Sequence, residues 1–442
     1  MLKTGSILVK NGRVVDPSQG FDDVADVLVI DGKVTEIKKG ISDKNVPVLD
    51  ATGLVVAPGF IDMHVHLREP GFEHKEDIET GTRAAAHGGI TSVACMPNTN
   101  PVIDNSGIVD LIHQRADKVG AVNVFVIGAM TPGLDEKDIA NVGELVEAGV
   151  VAVSDDAHPI QNNYILRRCM EYILMFDIVF ISHPEDRNLS AKGQMHEGLY
   201  SNKLGLEGIP ASSEEVMVSR NIILSEQTGT PVHIAHVSSA GSVRMIREAK
   251  QRGLKITAEV TPHHITFTDS CLATYDTNLK MNPPLRTEKD VQALKEGLKD
   301  GTIDCIATDH APHQISEKLV EFNYAPFGVI GLETAVPASF DALYHGKILT
   351  LNEIIRKWTV NPARVLRLKT KGSLATGMDG DITIIDPDLE VTIDASKFES
   401  KSRNTPFDKW KLKGAPKAAI VMGKIAWSAE DLKVSDREPA RK

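Results

Sequence analysis

The stretch GFIDMHVHLREPG, residues 59–71, places two histidines two residues apart in a segment that is otherwise typical of a buried strand. Because successive side chains of a strand point to opposite faces, His64, His66 and Arg68 are predicted to share one face. Imidazole is the commonest metal ligand in proteins, but a metal site needs several such groups from distant parts of the chain. A pair of core histidines held by ordinary hydrogen bonds is the alternative, and the rest of the sequence decides between them.

Eight short apolar runs alternate with helical stretches through the middle of the chain. They read FIDMHVH, TSVACMPN, VNVFVIGAM, VVAVSDD, IVFISH, PVHIAHVS, KITAEVTPHH and CIATDHAPH. Eight alternating strand and helix units favour an α/β fold, a (β/α)8 barrel of the TIM type. An open, doubly wound sheet is the alternative.

Both ends of the chain have a different texture, that of short strands separated by turns. In the first 57 residues, Asn11-Gly12 and Asp31-Gly32 are predicted to be hairpin turns. The same pattern returns in DITIIDP, LEVTID and AAIVMGKIAWSAE near the other end. We therefore predict one small β-domain built from residues 1–57 and 369–442, and a barrel domain spanning residues 58–368.

Composition limits the classes of function. The 442 residues are 42% hydrophobic and 25% charged, and the formal charge of -11 argues against binding nucleic acid or an anionic membrane. The four cysteines lack C-x-x-C spacing, which favours a reducing cytoplasm over a disulfide framework. Neither a signal-peptide pattern nor an apolar run long enough for a membrane helix is expected. A small-molecule partner is the simplest expectation.

Polar side chains are concentrated where the predicted barrel strands end. In strand order they are His64 and His66, Asp155 and Asp156, His183, His233 and His236, and Asp309 with His310. All strand ends of a parallel barrel meet at one mouth, so these groups are predicted to be neighbours. Nitrogen and carboxylate ligands without thiolates suit zinc, with another divalent transition metal as the alternative, and a bridging carboxylate can hold two ions. We therefore predict two metals, the alternative being that some of these groups are satisfied core residues.

Five segments, read in order, give a more specific indication. DMHVHLREPG, MPNT, TAEVTPHH, KMNPPLR and ATDHAPH resemble the signature segments of dihydroorotases, in the amidohydrolase superfamily, and the resemblance runs from about residue 5 to 427. It implies a distorted (β/α)8 barrel flanked by a β-sandwich from both chain ends. It also implies two zinc ions, with the ligands His64, His66 and Asp309 for one, His183 and His236 for the other, and Asp156 between them.

Asp156 marks a departure from many dihydroorotases, which bridge their metals with a carboxylated lysine. The segment VVAVSDDAH contains no lysine, and the branch that this chain resembles has an aspartate there. FISHPED also replaces the more usual AHCED around His183, but the histidine is kept.

Arg68 is the natural partner for a substrate carboxylate, because a planar guanidinium binds it through two parallel hydrogen bonds. A surface arginine is the alternative. By resemblance, Asn98 and His313 complete this clamp, while Asn282 and the backbone of Phe327 and Gly328 face the substrate ring. A turn asparagine, a loop histidine and an ordinary turn are the corresponding alternatives.

The resemblance implies reversible hydrolysis of the cyclic amide of (S)-dihydroorotate to N-carbamoyl-L-aspartate, in pyrimidine synthesis, with Asp309 as the proton shuttle. His310 is predicted to face away from the metals. Residues 313–328 are predicted to be either a lid or an inert surface loop.

Three other functions remain open from the sequence. Two are enzymatic: a dihydropyrimidinase (hydantoinase) or an allantoinase. The third is a metal-free, non-catalytic homologue that serves as an assembly partner for another enzyme of the pathway. A homo-oligomer, or association with another enzyme of the pyrimidine pathway, is also left open.

Overall fold

The computed structural model describes residues 4–435. The first strands are β1 (Ile7–Asp16), β2 (Phe21–Ile30), β3 (Lys33–Lys38), β4 (Val48–Asp50) and β5 (Val55–Pro58). Asp31 and Gly32 form the turn between β2 and β3, with φ of 48° and 80°. The turn predicted at Asn11-Gly12 is wrong. There β1 continues through a bulge, because the Asn11 N–H donates to Asp26 Oδ1 at 2.8 Å and Gly12 pairs with Ala25.

The eight predicted apolar runs each contribute one strand to a second, parallel sheet. In chain order the strands of this part of the molecule are β6 (Phe60–Val65), β7 (Ile90–Cys95), β8 (Asn123–Ala129), β9 (Val150–Ser154), β10 (Val179–Ser182), β11 (Met195–His196), β12 (Gly208–Ile209), β13 (Val232–Ile234), β14 (Ile256–Val260) and β15 (Cys305–Ile306). Only β11 and β12 lie outside the large sheet, as a separate pair.

This parallel sheet closes into a barrel. Its strand order is β6-β7-β8-β9-β10-β13-β14-β15. Beyond β15 the chain reaches β6, the first strand of the barrel. There His310 pairs with Val65, and the His66 N–H donates to the His310 carbonyl at 2.9 Å. The first and last strands therefore meet, as the predicted (β/α)8 barrel requires and an open sheet does not.

Helices lie between the strands and around the barrel. They are α1 (Ile78–His87), α2 (Ser106–Val119), α3 (Val142–Glu147), α4 (Asn163–Ile173), α5 (Arg187–Ser190), α6 (Leu199–Leu204), α7 (Ala211–Thr228), α8 (Ala240–Gln251), α9 (Glu288–Asp300), α10 (Ile315–Lys318), α11 (Ala335–Ser339), α12 (Leu351–Trp358) and α13 (Val360–Val365). The Asp77 side chain caps α1 by accepting the Thr80 N–H. Gly229 and Gly301 end α7 and α9 in the left-handed conformation.

The last strands join the first five into one sheet, as predicted. They are β16 (Ile382–Thr392), β17 (Lys411–Val421), β18 (Lys424–Ser428) and β19 (Val434–Ser435). The strand order is β18-β17-β16-β5-β1-β2-β3, and β4 pairs with β1 and β19. The two chain ends meet where β16 runs antiparallel to β5, with Ile382 opposite Pro58. Residues 436–442 of the predicted β-domain lie outside the described residues.

Several buried apolar clusters stabilise these layers, and the two described first belong to the barrel and to the sheet from the chain ends. The barrel core continues between the strands and the helices, where Phe60 stacks on Trp358 with ring centroids 5.9 Å apart. The sheet from the chain ends has its own core, which includes Val27 and Ile384. Burial of this apolar surface is the main favourable contribution to folding.

The segment between β16 and β17 leaves that sheet and packs on the barrel. Phe398 and Phe407 belong to a buried cluster that contains Phe267 and Ile330 of the barrel. This segment therefore runs over the barrel rather than over the β-sheet. Within residues 4–435, no helix is long and apolar enough to cross a membrane.

Candidate metal centre and substrate pocket

Six predicted metal ligands meet at the mouth formed by the carboxyl ends of the strands. His64 lies on β6, and the others follow the ends of β6, β9, β10, β13 and β15: His66, Asp156, His183, His236 and Asp309. Two groups have ligand atoms within 4.8 Å of one another, namely His64, His66 and Asp156, and Asp156, His183 and His236. Asp156 belongs to both groups, so its two oxygens can serve two neighbouring ions.

The spacing around Asp156 fits a metal better than direct hydrogen bonds. Its Oδ1 lies 3.6 Å from His64 Nε2 and 3.5 Å from His183 Nδ1, and its Oδ2 lies 3.5 Å from His66 Nε2. Two ligands each about 2.0 Å from a tetrahedral ion are roughly 3.3 Å apart. His64 Nε2 and Asp156 Oδ1 are buried and have no hydrogen-bond partner among the described residues. Such orphaned atoms are costly unless a ligand satisfies them.

Asp309 lies at the edge of the first group. Its Oδ1 is 3.1 Å from His66 Nε2 and 3.6 Å from His64 Nε2. Burial raises the pKa of Asp309. The hydrogen bond to His66 and the charges of the nearby histidines lower the pKa by more than burial raises it, so the pKa of Asp309 is well below its usual range. Asp309 and His236 both have positive φ, 48° and 32°, and non-glycine residues adopt such strained backbone mainly at functional sites.

A carboxylate that the sequence analysis missed orients the deepest histidine. His64 Nδ1 donates to Glu259 Oε1 at 2.6 Å, which leaves His64 Nε2 facing Asp156. His233 lies on the other side of Glu259, with its Nε2 3.3 Å from Oε2, and is therefore not beside the metal ligands. Burial raises the pKa of Glu259, but the charge of His64 lowers it to about 2. The sequence did contain a signal for Glu259, because an acidic residue inside a buried strand segment such as KITAEV is unusual.

The second group has a similar supporting carboxylate. His183 Nδ1 lies 2.8 Å from His236 Nε2, and His183 Nε2 donates to Glu185 Oε2 at 3.1 Å. Asn282, predicted at the substrate ring, donates from Nδ2 to the same Glu185 oxygen at 2.9 Å. Asn98, predicted at the substrate carboxylate, accepts from His66 Nδ1 at 2.9 Å. Both asparagines therefore also fix groups of the metal centre.

The metal centre opens into a cavity of about 280 Å³. Eleven of the twelve predicted site residues line it: His66, Arg68, Asn98, Asp156, His183, His236, Asn282, Asp309, His313, Phe327 and Gly328. His64, the twelfth, is buried below them. A pocket of this size, with several converging polar groups, suits a small polar substrate.

Arg68 lines the cavity, but its backbone conformation is not the extended one that strand alternation predicts. β6 ends at Val65, and Arg68 adopts a left-handed conformation with φ of 63°. The expectation that Arg68 continues the strand face of the histidines is therefore wrong, although its side chain lines the cavity beside them. Its Nε donates to the Pro312 carbonyl at 3.3 Å. Burial lowers the pKa of Arg68 to about 10, so the guanidinium stays charged at neutral pH.

His313 and the turn at 327–328 form the part of the cavity wall next to Arg68. His313 Nε2 donates to the Phe327 carbonyl at 2.9 Å, and the Gly328 N–H donates to the Lys280 carbonyl at 3.0 Å. Burial, followed by the charges of Arg68 and two lysines, lowers the pKa of His313 to about 2. His313 is therefore neutral, and the Gly328 N–H is already engaged within the protein.

Asp155 and His310 are next to proposed metal ligands in the sequence, but their side chains point away from the metal centre. Asp155 accepts the Met130 N–H at 2.7 Å and the Thr131 N–H at 3.1 Å. His310 Nδ1 accepts the Gly331 N–H at 3.2 Å. Both side chains have their partners away from the metal centre, and His310 Nε2 faces Glu76 Oε2 at 3.4 Å. This is the placement predicted for His310.

A barrel with paired histidines and a shared aspartate at its mouth defines a hydrolase of the amidohydrolase class. The chain matches the amidohydrolase family over residues 226–425 and the dihydro-orotase-like family over residues 53–242. Among solved structures, the L-hydantoinase (dihydropyrimidinase) of Arthrobacter aurescens superimposes with a TM-score of 0.87 at 25% identity, covering 98% of each chain.

Sequence relatives narrow this class. The dihydroorotase of Pelotomaculum thermopropionicum is 56% identical over 95% of this chain and 98% of that protein. The dihydroorotase of Geobacter sp. strain M21 is 51% identical over 96% of this chain and 100% of that protein. The chain belongs to the dihydroorotase family.

Proposed function

We propose that this protein catalyses the reversible hydrolysis of the cyclic amide of (S)-dihydroorotate to N-carbamoyl-L-aspartate. The observation that carries the proposal is the position of Arg68, a charged guanidinium on the wall of the cavity that contains the paired metal groups. Such a side chain suits a cyclic amide that bears a carboxylate. The dihydroorotase relatives, at 50–56% identity, support the same substrate.

The residues at the mouth would hold two zinc ions. His64, His66 and Asp309 are the proposed ligands of one ion, His183 and His236 those of the other, and Asp156 would be shared. The orphaned His64 Nε2 and Asp156 Oδ1 support this assignment, as does a ligand set of imidazole and carboxylate groups. When bound, zinc polarises a carbonyl and lowers the pKa of water to near 7.

Asp309 is the proposed catalytic residue. Its carboxylate, which stays ionised because its pKa is lowered, accepts the proton of the attacking water as the new C–O bond forms. It returns that proton to the ring nitrogen as the C–N bond of the amide breaks. Ring closure uses the same steps in reverse, so one carboxylate serves both directions.

The remaining predicted residues would bind the substrate. Arg68, Asn98 and His313 are assigned to the carboxylate. Neutral His313 has one N–H, which donates to the Phe327 carbonyl, so His313 would offer that proton to the substrate only in exchange for this bond. Asn282 and the backbone of Phe327 and Gly328 are assigned to the ring. Because the Gly328 N–H is engaged with Lys280, the turn would contribute its remaining backbone groups.

The wider setting belongs to the same proposal. We infer a role in pyrimidine nucleotide synthesis, in the cytoplasm, with the β-domain of residues 1–57 and 369–442 beside the barrel domain of residues 58–368. All four cysteines are free, which suits a reducing compartment.

A hydantoinase or dihydropyrimidinase is the second candidate, because solved structures with those names share the fold. One assay separates the candidates: the purified protein with dihydroorotate, dihydrouracil, hydantoin and allantoin, before chelation, after chelation and after zinc is restored. We expect rapid turnover of dihydroorotate that chelation abolishes and zinc restores. Preference for an uncharged ring would favour the second candidate. A protein that binds no zinc and turns over none of the four substrates would indicate the metal-free, non-catalytic alternative.

A further inference from the structure

A segment far from the barrel in sequence binds both sides of the proposed substrate clamp. Residues 399–405, here called the strap, lie between β16 and β17 and run across the barrel mouth. The Ser402 hydroxyl donates to the Lys75 carbonyl at 2.8 Å, and the Lys401 N–H donates to Glu76 at 3.2 Å. The strap is therefore anchored to the segment between β6 and α1, which contains Arg68.

Asn404 connects the strap to the two other walls of the cavity. Its side chain accepts the His313 N–H at Oδ1, 3.2 Å, and donates from Nδ2 to the carbonyls of Ala311 and Gly328, each at 3.1 Å. Its carbonyl accepts the Ile330 N–H at 3.0 Å. The side chain is only 3% exposed, so these bonds form away from water.

The bonds of Asn404 enclose Pro312, whose carbonyl receives Arg68 Nε. Proline has no N–H, so the Asn404 amide supplies the links on either side of it, to Ala311 and His313. A Cβ built on Gly328 would lie 2.8 Å from the Ala311 Cβ, so these two walls already touch. A shift of one wall therefore moves the group that holds Arg68.

We propose that Asn404 is a positioning residue for the substrate carboxylate, because it joins segment 311–313 to turn 327–328 and so sets the positions of Arg68 and His313. This inference rests on the proposed function. Asn404 touches neither the reacting atoms nor the metal ligands, and its effect is on substrate binding rather than on the chemical step.

The test compares Asn404→Ala with Ser402→Ala. The control removes a strap anchor but leaves all the Asn404 bonds in place. We expect Asn404→Ala to raise the KM for dihydroorotate about 10- to 100-fold, with a much smaller change in kcat, as misplacement of a binding group does. Zinc content and slow turnover of dihydrouracil should stay near wild type. Ser402→Ala should keep the wild-type KM.

Hydrogen exchange supplies a readout that does not depend on the substrate. The His313 amide, which donates to the Asn404 side chain, should exchange faster in Asn404→Ala than in Ser402→Ala. The Ile330 amide donates to the backbone carbonyl of residue 404, which both variants keep, and serves as the internal reference. An unchanged KM, equal losses on both substrates, or equal effects of the two variants would overturn the inference.

Failure of the proposed function would look different. A wild-type protein that hydrolyses only uncharged rings would refute the clamp itself. If the wild type acts on another carboxylated cyclic amide, the same KM comparison with that amide decides the role of Asn404.

Discussion

Replacing Arg68 with methionine is the most informative test of substrate choice. The guanidinium lines the cavity, and among residues 4–435 its one hydrogen bond runs from Nε to Pro312. The two terminal nitrogens therefore remain available to a carboxylate. Methionine keeps much of the volume of the side chain and removes both the charge and the donors.

The size of the effect follows from those two nitrogens. Each hydrogen bond to a charged group contributes about 1.5–2 kcal/mol, so a two-point pair contributes roughly 3–4 kcal/mol. At about 1.36 kcal/mol per tenfold, kcat/KM for dihydroorotate should fall about 100- to 1000-fold. Dihydrouracil has the same ring without the carboxylate, and its slow hydrolysis should hardly change.

Steady-state kinetics on both substrates measure this difference, with zinc content and the thermal midpoint recorded for each protein. Arg68→Lys is the matched control, since it keeps the charge but loses the planar pair of donors. We expect the kcat/KM of Arg68→Lys for dihydroorotate to lie between that of wild type and that of Arg68→Met. If both substrates lose activity equally in Arg68→Met, Arg68 supports the metal centre or the fold, and the reasoning from the carboxylate is refuted.

The remaining predictions concern four side chains: Asp309, Asp156, His313 and Glu259. Asp309→Asn should lower kcat about 100- to 10,000-fold without changing the circular dichroism spectrum. Because Asp156 is the proposed bridge, added bicarbonate should change neither activity nor zinc content, and mass spectrometry should find no carboxylated lysine. The pKa of His313, lowered to about 2, predicts no titration of its ring between pH 8 and 5 by NMR, with His313→Gln identifying the signal. Glu259→Gln should weaken zinc binding about 10- to 100-fold in a chelator competition.

The lowered pKa of His313 also fixes the sign of a stability effect. The unfolded chain binds a proton at this histidine near pH 6.5, whereas the folded protein does so only near pH 2. Protonation therefore favours unfolding, and this contribution to stability is lost progressively as the pH falls from 6.5 towards 2. His313→Gln should lose less stability than wild type over that range in denaturant titrations.

Each of these results has an outcome that would contradict it. Near-wild-type turnover would remove Asp309 from the mechanism, and a carboxylated lysine at the site would displace Asp156 as the bridge. A His313 signal that titrates near pH 6.5 would show that the ring is not held in a buried, positive environment. Unchanged zinc affinity in Glu259→Gln would make that carboxylate a purely structural partner.

The sequence predicts the barrel well because its signals are local. Short apolar runs bounded by polar residues each became one strand, and the groups at their ends meet at the mouth because parallel strands end together. Local rules failed where a residue is held by distant partners. Asn11-Gly12 forms a bulge instead of a turn because Asp26 binds it, and the left-handed backbone at Arg68 is invisible to strand alternation.

Long-range contacts account for what the sequence could not show. Glu259 orients His64 across 195 positions of the chain, and Asn404 contacts His313 across 91. No spacing rule links such pairs, because each depends on the barrel having already closed. The roles of the twelve predicted site residues remain predictions, although the structure places all twelve together.

The contact that closes the barrel lies next to the proposed metal ligands, so metal binding should affect the stability of the barrel. β15 is only two residues long, and the ring is completed beyond it by the contact between His310 and Val65. His66 directly follows Val65, and Asp309 directly precedes His310, so the two proposed ligands stand on opposite sides of the seam. An ion held by both would link the two chain segments at the point where a single bridge, Val65 to His310, closes the barrel. Bound zinc would then stabilise the closed barrel, and the thermal midpoint should rise with zinc concentration and fall on chelation.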